Sequence, residues 1–297
     1  MKVFLTGATG QLGKEIIKQK PKGFDLFPLG REKLDLGSYN DCWQYIRMQK
    51  PDWIINAGAY TSVDKAEYQK EEALKINALA PKAFSESLNL YGGKLLQIST
   101  DYVFNGNQNY PYKTFQKRNP INFYGRSKAL AEKYLEDEFS KTGNATILRT
   151  SWLIGIEGKN FAKSIINLIN KNEPINVIQD QIGCITTTIS LAEACWDILK
   201  INSSINQNGT SILHWTDAGV ASWYDVAEYI NDISFELGIT KKKAIINPIY
   251  ASEYKALAKR PKFSLLDCKS TQEFLGRKPL HWRNALKKVI SDNNFNF

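Results

Sequence analysis

Apolar residues in the first half of the chain fall into short runs that are separated by stretches of helical period. The runs are rich in strand-forming residues and lie at 2–6, 24–28, 51–56, 94–99 and 144–149. The helical stretches lie at 11–20, 71–90 and 121–139, and Ser38 with Asp41 three residues later predicts the start of another helix. This alternation predicts βαβ units and a parallel sheet with helices on both faces.

The second half of the chain has a looser pattern. It predicts helices at 159–171, 190–200, 222–237 and 281–291, and short strands at 175–178 and 211–215. We expect both strands to be added to the sheet of residues 1–150. The predicted fold is therefore α/β, with a doubly wound parallel sheet and a smaller C-terminal lobe drawn largely from residues 151–297.

Composition narrows the class of protein. Hydrophobic residues make up 43% of the 297 residues and charged residues 23%, which is ordinary for a globular protein. No apolar run approaches the roughly 20 residues of a membrane span, and glycines interrupt the N-terminus too early for a signal peptide. We therefore expect a chain that begins at Met1, has no membrane partner and resides in the cytoplasm.

The net charge of +9 is spread along the chain, without the basic and aromatic interleaving of nucleic-acid binders. We expect no nucleic-acid partner and interpret the charge as a solvated surface with room for an anionic ligand. The cysteines have no CxxC spacing, and two histidines are too few for a zinc cluster. We expect the cysteines to be reduced and buried: Cys42, Cys184, Cys195 and Cys268.

The first strand ends in a glycine turn with the letters G-A-T-G-Q-L-G at 7–13. Gly7 permits a tight turn, Gly10 lets the backbone approach a pyrophosphate, and Gly13 lets the following helix pack closely on the sheet. The helix N-terminus adds free N–H groups and a positive dipole end. A strand, this turn and a helix together predict a Rossmann-type dinucleotide site.

The second strand indicates which dinucleotide is bound. NADP-binding chains tend to carry Arg after this strand, where it meets the ribose 2′-phosphate, whereas NAD-binding chains carry an acidic residue. Arg31 follows the strand, and Asp25 lies too early in it to reach the ribose. We therefore predict NADPH as the cofactor, with NADH as a second option.

Tyr124 and Lys128 are four residues apart on a predicted helix and so share one face. An ammonium beside a phenol favours the phenolate and lowers the tyrosine pKa, which suits a general acid. The strand at 94–99 ends in Ser99 and Thr100, either of which could polarise the same carbonyl. A hydroxyl, a tyrosine and a lysine beside a dinucleotide predict hydride transfer without a metal.

Nine segments of the chain, spread over nearly its whole length, resemble the extended short-chain dehydrogenase/reductase family and, within it, the dTDP-4-dehydrorhamnose reductase branch. They include A-Y-T-S-V-D-K-A-E at 59–67, S-T-D-Y-V-F-N-G at 99–106, Y-G-R-S-K at 124–128, L-R-T-S-W at 148–152 and D-Q-I-G at 180–183. The resemblance implies NADPH-dependent reduction of the C4 keto group of dTDP-4-dehydro-β-L-rhamnose to dTDP-L-rhamnose. The dTDP-sugar would then be the substrate and the C-terminal lobe its binding lobe.

The resemblance also assigns site residues. Thr100, Tyr124 and Lys128 fall on the catalytic triad, in which Thr100 bonds the keto oxygen, Tyr124 protonates it, and Lys128 lowers the tyrosine pKa and holds the nicotinamide ribose. Substrate-binding residues are expected at Thr61, Val63, Tyr102, Trp152 and Asn160. Besides Tyr124 and Lys128, cofactor contacts are expected from Gly7, Thr9, Gly10, Gln11, Leu12, Gly13, Arg31, Asp35, Leu36, Ala57, Gly58 and Ala59.

The chain departs from the family pattern in places. Ile185 stands where relatives have Pro, in a loop that the family places near the substrate. Glu15 and Glu193 match two carboxylates that hold a dimer-linking metal in some relatives, but Ile189 replaces a third. We expect no metal ligands, and the resemblance leaves Mg²⁺ and a homodimer open. Two alternatives also stay open: a regulatory subunit of the methionine adenosyltransferase type, and another nucleotide-sugar reductase or epimerase of the same fold.

Overall fold

The structure is a computed structural model that describes residues 1–171, 173–202, 209–292 and 295. Its strands are β1 (Lys2–Thr6), β2 (Asp25–Leu29), β3 (Trp53–Asn56), β4 (Lys94–Thr100), β5 (Ala145–Thr150), β6 (Leu153–Ile154), β7 (Ile175–Ile178), β8 (Ile182–Gly183), β9 (Thr186–Thr187), β10 (Ser211–His214), β11 (Ala221–Ser222) and β12 (Ile246–Ile249). Its α-helices are α1 (Gln11–Lys18), α2 (Tyr39–Gln49), α3 (Val63–Ala66), α4 (Lys70–Leu74), α5 (Ala80–Asn89), α6 (Phe123–Glu138), α7 (Phe161–Asn170), α8 (Thr188–Asn202), α9 (Trp223–Glu236), α10 (Lys269–Leu275) and α11 (Trp282–Ile290).

Six parallel strands form the main sheet in the order β10-β5-β4-β3-β1-β2. Side chains alternate between its two faces. Val3 and Leu5 point to the side of α1 and α8, whereas Phe4 points to the side of α2, α5 and α6. Both faces are therefore covered, which confirms the predicted α/β fold with a parallel sheet.

The two later strands behave differently from each other. β10 pairs with β5 at the edge of the main sheet, as predicted. The prediction for residues 175–178 was wrong: β7 pairs with β12 in a separate two-stranded sheet. A third apolar cluster, built from residues 154 onward with α7, α9 and α11, covers this small sheet and gives β7 a core of its own. The division of the chain at residue 150 stays a prediction.

The stretch predicted as one helix over 71–90 is divided in the structure. A π-helical turn, Lys75–Leu79, separates α4 from α5. Pro81 near the start of α5 has no N–H to donate to the preceding turn, which favours such an irregularity. The predicted start of α2 is confirmed, because the Asp41 N–H donates to Ser38 Oγ at 3.3 Å.

The helix α6, which contains Tyr124 and Lys128, begins one residue before Tyr124. Asn122 caps it by accepting a hydrogen bond from the Gly125 N–H at 2.7 Å on its Oδ1. The four cysteines are free and buried. Among the residues that the structure describes, no helix combines the length and apolarity that a bilayer crossing requires.

Candidate active site

A cleft of about 640 Å³ opens at the carboxyl end of the main sheet, where β1, β3, β4 and β5 end. One part of its lining, here called the sheet wall, consists of Gly7, Thr9, Gly10, Gln11, Leu12, Gly13, Ala57, Gly58, Ala59, Thr61, Val63, Ile98, Ser99, Thr100, Asp101, Tyr102, Tyr124, Lys128 and Thr150. The rest of the lining, here called the lobe wall, consists of Ser151, Trp152, Leu153, Gly158, Lys159 and Trp223.

Two positions of the glycine turn, Gly7 and Gly13, are packed too tightly for a side chain. Gly7 has a φ of +65°, and a Cβ there would lie 2.6 Å from the Gly58 backbone nitrogen. A Cβ on Gly13 would lie only 2.2 Å from the Gly7 carbonyl oxygen. Gly10 is the N-cap of α1 and offers no side-chain cap, so the first amides of α1 remain open to an anion. The turn therefore has the geometry that a pyrophosphate requires.

Thr100, Tyr124 and Lys128 meet in the sheet wall. Thr100 is the last residue of β4, and its hydroxyl is hydrogen-bonded to Tyr124. One helical turn after Tyr124, the Lys128 ammonium donates to the Ile98 carbonyl oxygen at 2.6 Å. The three residues predicted to form the triad thus line the same cleft as the glycine turn, although they come from a strand end and a helix.

The electrostatics of the pair differ from the prediction. The pKa of Tyr124 is raised to about 12, chiefly because the side chain is buried. The hydrogen bond with Thr100 opposes this rise, and the charge of Asp101 adds to it. Burial lowers the pKa of Lys128 to about 8, against an opposing effect of Glu132. The expected lowering of the tyrosine pKa is therefore absent, because both groups lie out of water and the ammonium points at a backbone carbonyl.

A buried ion pair supports the sheet wall from behind. The side chains of Glu132 and Arg149 are 0% and 1% exposed, and Arg149 Nη2 lies 2.6 Å from Glu132 Oε2. Ser99 donates to Glu132 Oε1 at 2.5 Å, so the pair reaches the surface of the cleft. Burial alone would raise the pKa of Glu132, but the hydrogen bonds and charge of Arg149 hold it below its usual value. The buried ion pair and the Ser99 hydrogen bond therefore connect β4, β5 and α6 behind the cleft.

Asn77, in the π-helical turn, connects the loop after β3 to α6 through hydrogen bonds. Its Oδ1 accepts from the Tyr60 N–H at 2.8 Å, and its amide group donates to the Tyr60 carbonyl and to Ser127 Oγ, both at 3.0 Å. Ser127 precedes Lys128 directly. Asn77 was not among the residues predicted from the sequence; the available signal was an asparagine inside a helical pattern, four residues before Pro81.

Aromatic side chains form the lobe wall. Trp152 and Trp223 stack with their ring centroids 3.8 Å apart and their planes at 12°, and Phe161 packs on Trp223 with centroids 4.5 Å apart. Trp152 has a φ of +46°, a conformation that is costly for a bulky residue and that occurs often at functional sites. The stack and this backbone together fix the Trp152 ring in the cleft.

Gln11 joins the two walls. Its Oε1 accepts hydrogen bonds from the Gly155 N–H and from Asn160 Nδ2, each at 3.1 Å. Lys14, one turn further along α1, pairs with Glu157 at 2.8 Å. The loop of residues 155–160 therefore lies across the N-terminus of α1, beside the glycine turn.

Four predicted site residues lie outside the cleft lining. Arg31 is 78% exposed and stands 3.8 Å from the Asp35 carboxylate. Leu36 packs close to Gly58, since a Cβ on that glycine would lie 2.5 Å from Leu36 Cδ1. Asn160 caps α7 and reaches the cleft only through Gln11.

All other predicted site residues line the cleft, which also has lining residues that the sequence analysis did not assign. These are Ile98, Asp101, Thr150, Ser151, Leu153, Gly158, Lys159 and Trp223. Asp101 and Ser151 stand next to predicted residues, which was a usable signal. Trp223 lies in S-W-Y-D at 222–225, one of the nine segments that carry the resemblance, but no role was assigned to it. Ile185, expected near the substrate, is fully buried in the core of the lobe instead.

The carboxylates that were considered for a metal have protein partners. Glu15 accepts from Gln19 Nε2 at 2.7 Å, and Glu193 pairs with Arg277 at 2.8 Å. In the described part of the chain, no group of three or more His, Cys, Asp or Glu side chains is arranged to hold a metal ion.

Comparisons with known proteins agree with one another. The family "RmlD substrate binding domain" matches residues 1–295. A dTDP-4-dehydrorhamnose reductase of Sinorhizobium fredii is 34% identical over 98% of this chain and 97% of its own. The structure of a dTDP-4-dehydrorhamnose reductase from Clostridium acetobutylicum is similar, with a TM-score of 0.88, 35% identity and 98% of each chain covered. That of the Bacillus anthracis reductase in complex with NADP has a TM-score of 0.85 and 33% identity, over 97% of this chain and 98% of that one.

Proposed function

Since the chain belongs to the RmlD substrate binding domain family, we propose that it reduces the C4 keto group of dTDP-4-dehydro-β-L-rhamnose with NADPH, giving dTDP-L-rhamnose. One observation carries the proposal: Thr100, Tyr124 and Lys128 line the same cleft as the glycine turn. The names of the relatives above indicate the substrate, and the NADP in the Bacillus anthracis complex indicates the cofactor. A cytoplasmic location and a homodimer stay predictions of the sequence.

The cofactor site fits a dinucleotide because the turn lines an open cleft and its glycines bring the backbone close to it. Gly7, Gly10 and Gly13 bring backbone against the α1 N-terminus, which would hold the pyrophosphate. Ala57 and Ala59 continue the same surface after β3. Bound NADPH would supply the hydride for the C4 carbon. Arg31 is the residue we assign to the 2′-phosphate, and its exposed side chain is free to turn away from Asp35.

In the proposed reaction Tyr124 gives its phenolic proton to the C4 oxygen. A pKa of about 12 keeps this hydroxyl protonated at neutral pH, which is the form that a general acid needs. Thr100 stands beside it to hydrogen-bond the same oxygen. Lys128, anchored on the Ile98 carbonyl, holds a positive charge next to the place where the oxygen becomes negative.

The sugar is expected between the two walls. Thr61, Val63 and Tyr102 belong to the sheet wall, and Trp152 belongs to the lobe wall. An apolar ring surface such as the Trp152–Trp223 stack suits the methyl group of a 6-deoxy sugar. Asn160 would contribute indirectly, by donating a hydrogen bond to Gln11.

The test is an absorbance assay with purified protein, NADPH and dTDP-4-dehydro-β-L-rhamnose. We expect loss of the nicotinamide absorbance and formation of dTDP-L-rhamnose in equal amounts, and a loss slower by about 10²–10⁴-fold with the Tyr124→Phe variant. An epimerase would change the sugar without net consumption of NADPH, and a regulatory subunit would leave both compounds unchanged. Either result would overturn the proposal.

A further inference from the structure

Asp101 is a buried acid in the sheet wall that the proposed reaction does not use. It follows Thr100 directly, begins the short 3-10 turn Asp101–Val103 and is 2% exposed. It nevertheless lines the cleft. A carboxyl group so placed, one residue from the predicted catalytic hydroxyl, requires an account of its hydrogen bonds.

The hydrogen bonds of Asp101 are incomplete for an ionised carboxylate. Oδ1 lies 3.0 Å from Thr100 Oγ1, and Ser264 from the C-terminal part of the chain is also hydrogen-bonded to the side chain. Oδ2 is buried and has no hydrogen-bond partner among the described residues. Burial raises the pKa of Asp101 to about 6, whereas the bonds with Ser264 and Thr100 lower it. Both forms of the acid are therefore accessible close to neutral pH.

The protonation of Asp101 decides what Thr100 can do, because a threonine hydroxyl has a single proton. When Asp101 is ionised, Thr100 donates that proton to Oδ1. When Asp101 is neutral, its own proton on Oδ1 can be donated to Thr100 Oγ1, which already accepts from the Tyr102 N–H at 3.2 Å. With both lone pairs occupied, the Thr100 proton is then directed to Tyr124 or to the substrate.

We propose that Asp101 is a positioning residue whose protonation sets the direction of the Thr100 hydroxyl. When Asp101 is neutral, the Thr100 hydroxyl donates its proton towards Tyr124 and the keto oxygen. When Asp101 is ionised, the hydroxyl donates that proton to Asp101 instead. The catalytic consequence rests on the proposed reductase function. The reversal of the hydrogen bond is a property of the protein alone and can be tested without substrate.

The other charged groups around Asp101 titrate elsewhere. Tyr102 and Tyr124 face it, and burial raises the pKa of both. Arg260, which pairs with Asp64 at 2.7 Å, acts on Tyr102, and hydrogen bonding to Arg260 lowers the pKa of Asp64. Lys128 loses its proton at about pH 8. A change near pH 6 is thus attributable to Asp101.

The first test follows the protein by ¹³C NMR without substrate, with Asp carboxyl and Tyr ring carbons labelled. The Asp101 signal is identified by its loss in Asp101→Asn, and that of Tyr124 by its loss in Tyr124→Phe. We expect the Tyr124 signal to shift with the same midpoint as the Asp101 carboxyl, and the shift to fall to less than about half in Thr100→Val, since a direct charge effect remains. An unchanged shift in Thr100→Val, or no shift in the wild type, would overturn the proposal.

The second test measures the reductase rate at saturating NADPH and sugar. We expect the wild-type rate to fall about threefold or more from about pH 5 to about pH 7 as Asp101 ionises, and Asp101→Asn to remove this decrease. In the Thr100→Val background, Asp101→Asn should change nothing further. A decrease that persists in Asp101→Asn would refute the role.

Asp217 provides the matched control. It is also 2% exposed, has a pKa raised by burial to about 6 and a buried Oδ1 without a partner in the described chain, but it does not line the cleft. Asp217→Asn should therefore keep the wild-type pH profile. If the wild type reduces nothing while the NMR shift behaves as expected, the reductase function fails and the hydrogen-bond reversal stands.

Discussion

The sheet wall and the lobe wall of the cleft are built in different ways. The sheet wall comes from motifs that fold locally: a glycine turn after β1, the end of β4 and one face of α6. The lobe wall comes from positions far apart in the chain, since Trp152 and Trp223 meet only when the lobe has packed its own core. The residues proposed for the chemistry therefore lie in the local part, whereas the stacked indole rings proposed to contact the sugar come from the part that tertiary packing assembles.

The sharpest test of this comparison is Tyr124→Phe, which removes the proton donor and keeps the ring. We expect the reductase rate to fall by about 10²–10⁴-fold, with folding and NADPH affinity retained. Steady-state kinetics and a cofactor titration measure both. Tyr91→Phe, which removes a hydroxyl bonded to the Pro51 carbonyl outside the cleft, is the control and should keep its rate. Equal rates in the two variants would remove Tyr124 from the mechanism.

Lys128→Met should have the next largest effect, because it removes the buried ammonium and leaves a chain of similar length. The wild-type charge is lost as the pH rises through about 8, so its rate should decrease above that value, whereas the variant should lack this decrease. At neutral pH we expect the variant to be slower by about one to two decades at saturating NADPH. A normal rate under saturation would make Lys128 a binding residue only.

Gly13→Ala tests the packing on which the sheet wall depends. The new Cβ would lie 2.2 Å from the Gly7 carbonyl oxygen, so α1 must move. Overpacking of this kind costs about 1–3 kcal/mol, which thermal unfolding would detect, and cofactor affinity should decrease as well. Gly37→Ala, whose Cβ would meet the Asp35 side chain at 3.3 Å, is the milder control. Unchanged NADPH binding in Gly13→Ala would contradict the assigned pyrophosphate site.

Arg31→Ala tests a residue of the predicted cofactor site that lies outside the lining of the cleft. A hydrogen bond to a charged partner contributes roughly 1.5–3 kcal/mol, and the 78% exposed side chain places Arg31 at the low end, near tenfold weaker NADPH binding. NADH lacks the 2′-phosphate and should be nearly unaffected. Equal weakening of both cofactors, measured by titration, would assign Arg31 to the fold.

Gln11→Ala tests the connection between the walls and should have the smallest effect. It removes the acceptor of the Gly155 and Asn160 hydrogen bonds, each worth about 0.5–1.5 kcal/mol. We expect a few-fold higher KM for the sugar and little change in the rate at saturation. A loss confined to the rate would mean that Gln11 acts on the chemistry and not on the loop of residues 155–160.

Sequence reasoning succeeded where a local pattern fixes the geometry. The glycine turn follows from the spacing of its glycines, the shared face of Tyr124 and Lys128 from the 3.6-residue period of a helix, and the strand predicted at 94–99 from its run of apolar residues. It failed where distant segments decide the result. β7 has the apolar pattern of a main-sheet strand but pairs with β12. Trp223 lies in a segment that carries the family resemblance, but that segment did not show that its ring would line the cleft. The predicted shift of the Tyr124 pKa was also wrong in direction, because the i, i+4 spacing does not show how deeply the two side chains are buried.

The Trp152–Trp223 stack has a spectroscopic consequence. Two of the seven tryptophans lie in contact with each other in the same cleft that contains the predicted cofactor site. Tryptophan emission overlaps the absorption of reduced nicotinamide, so a bound cofactor should quench these two indoles by energy transfer more strongly than the distant ones. The protein thereby contains its own fluorescent indicator of cofactor occupancy, and Trp223→Leu should dim that signal without touching the glycine turn.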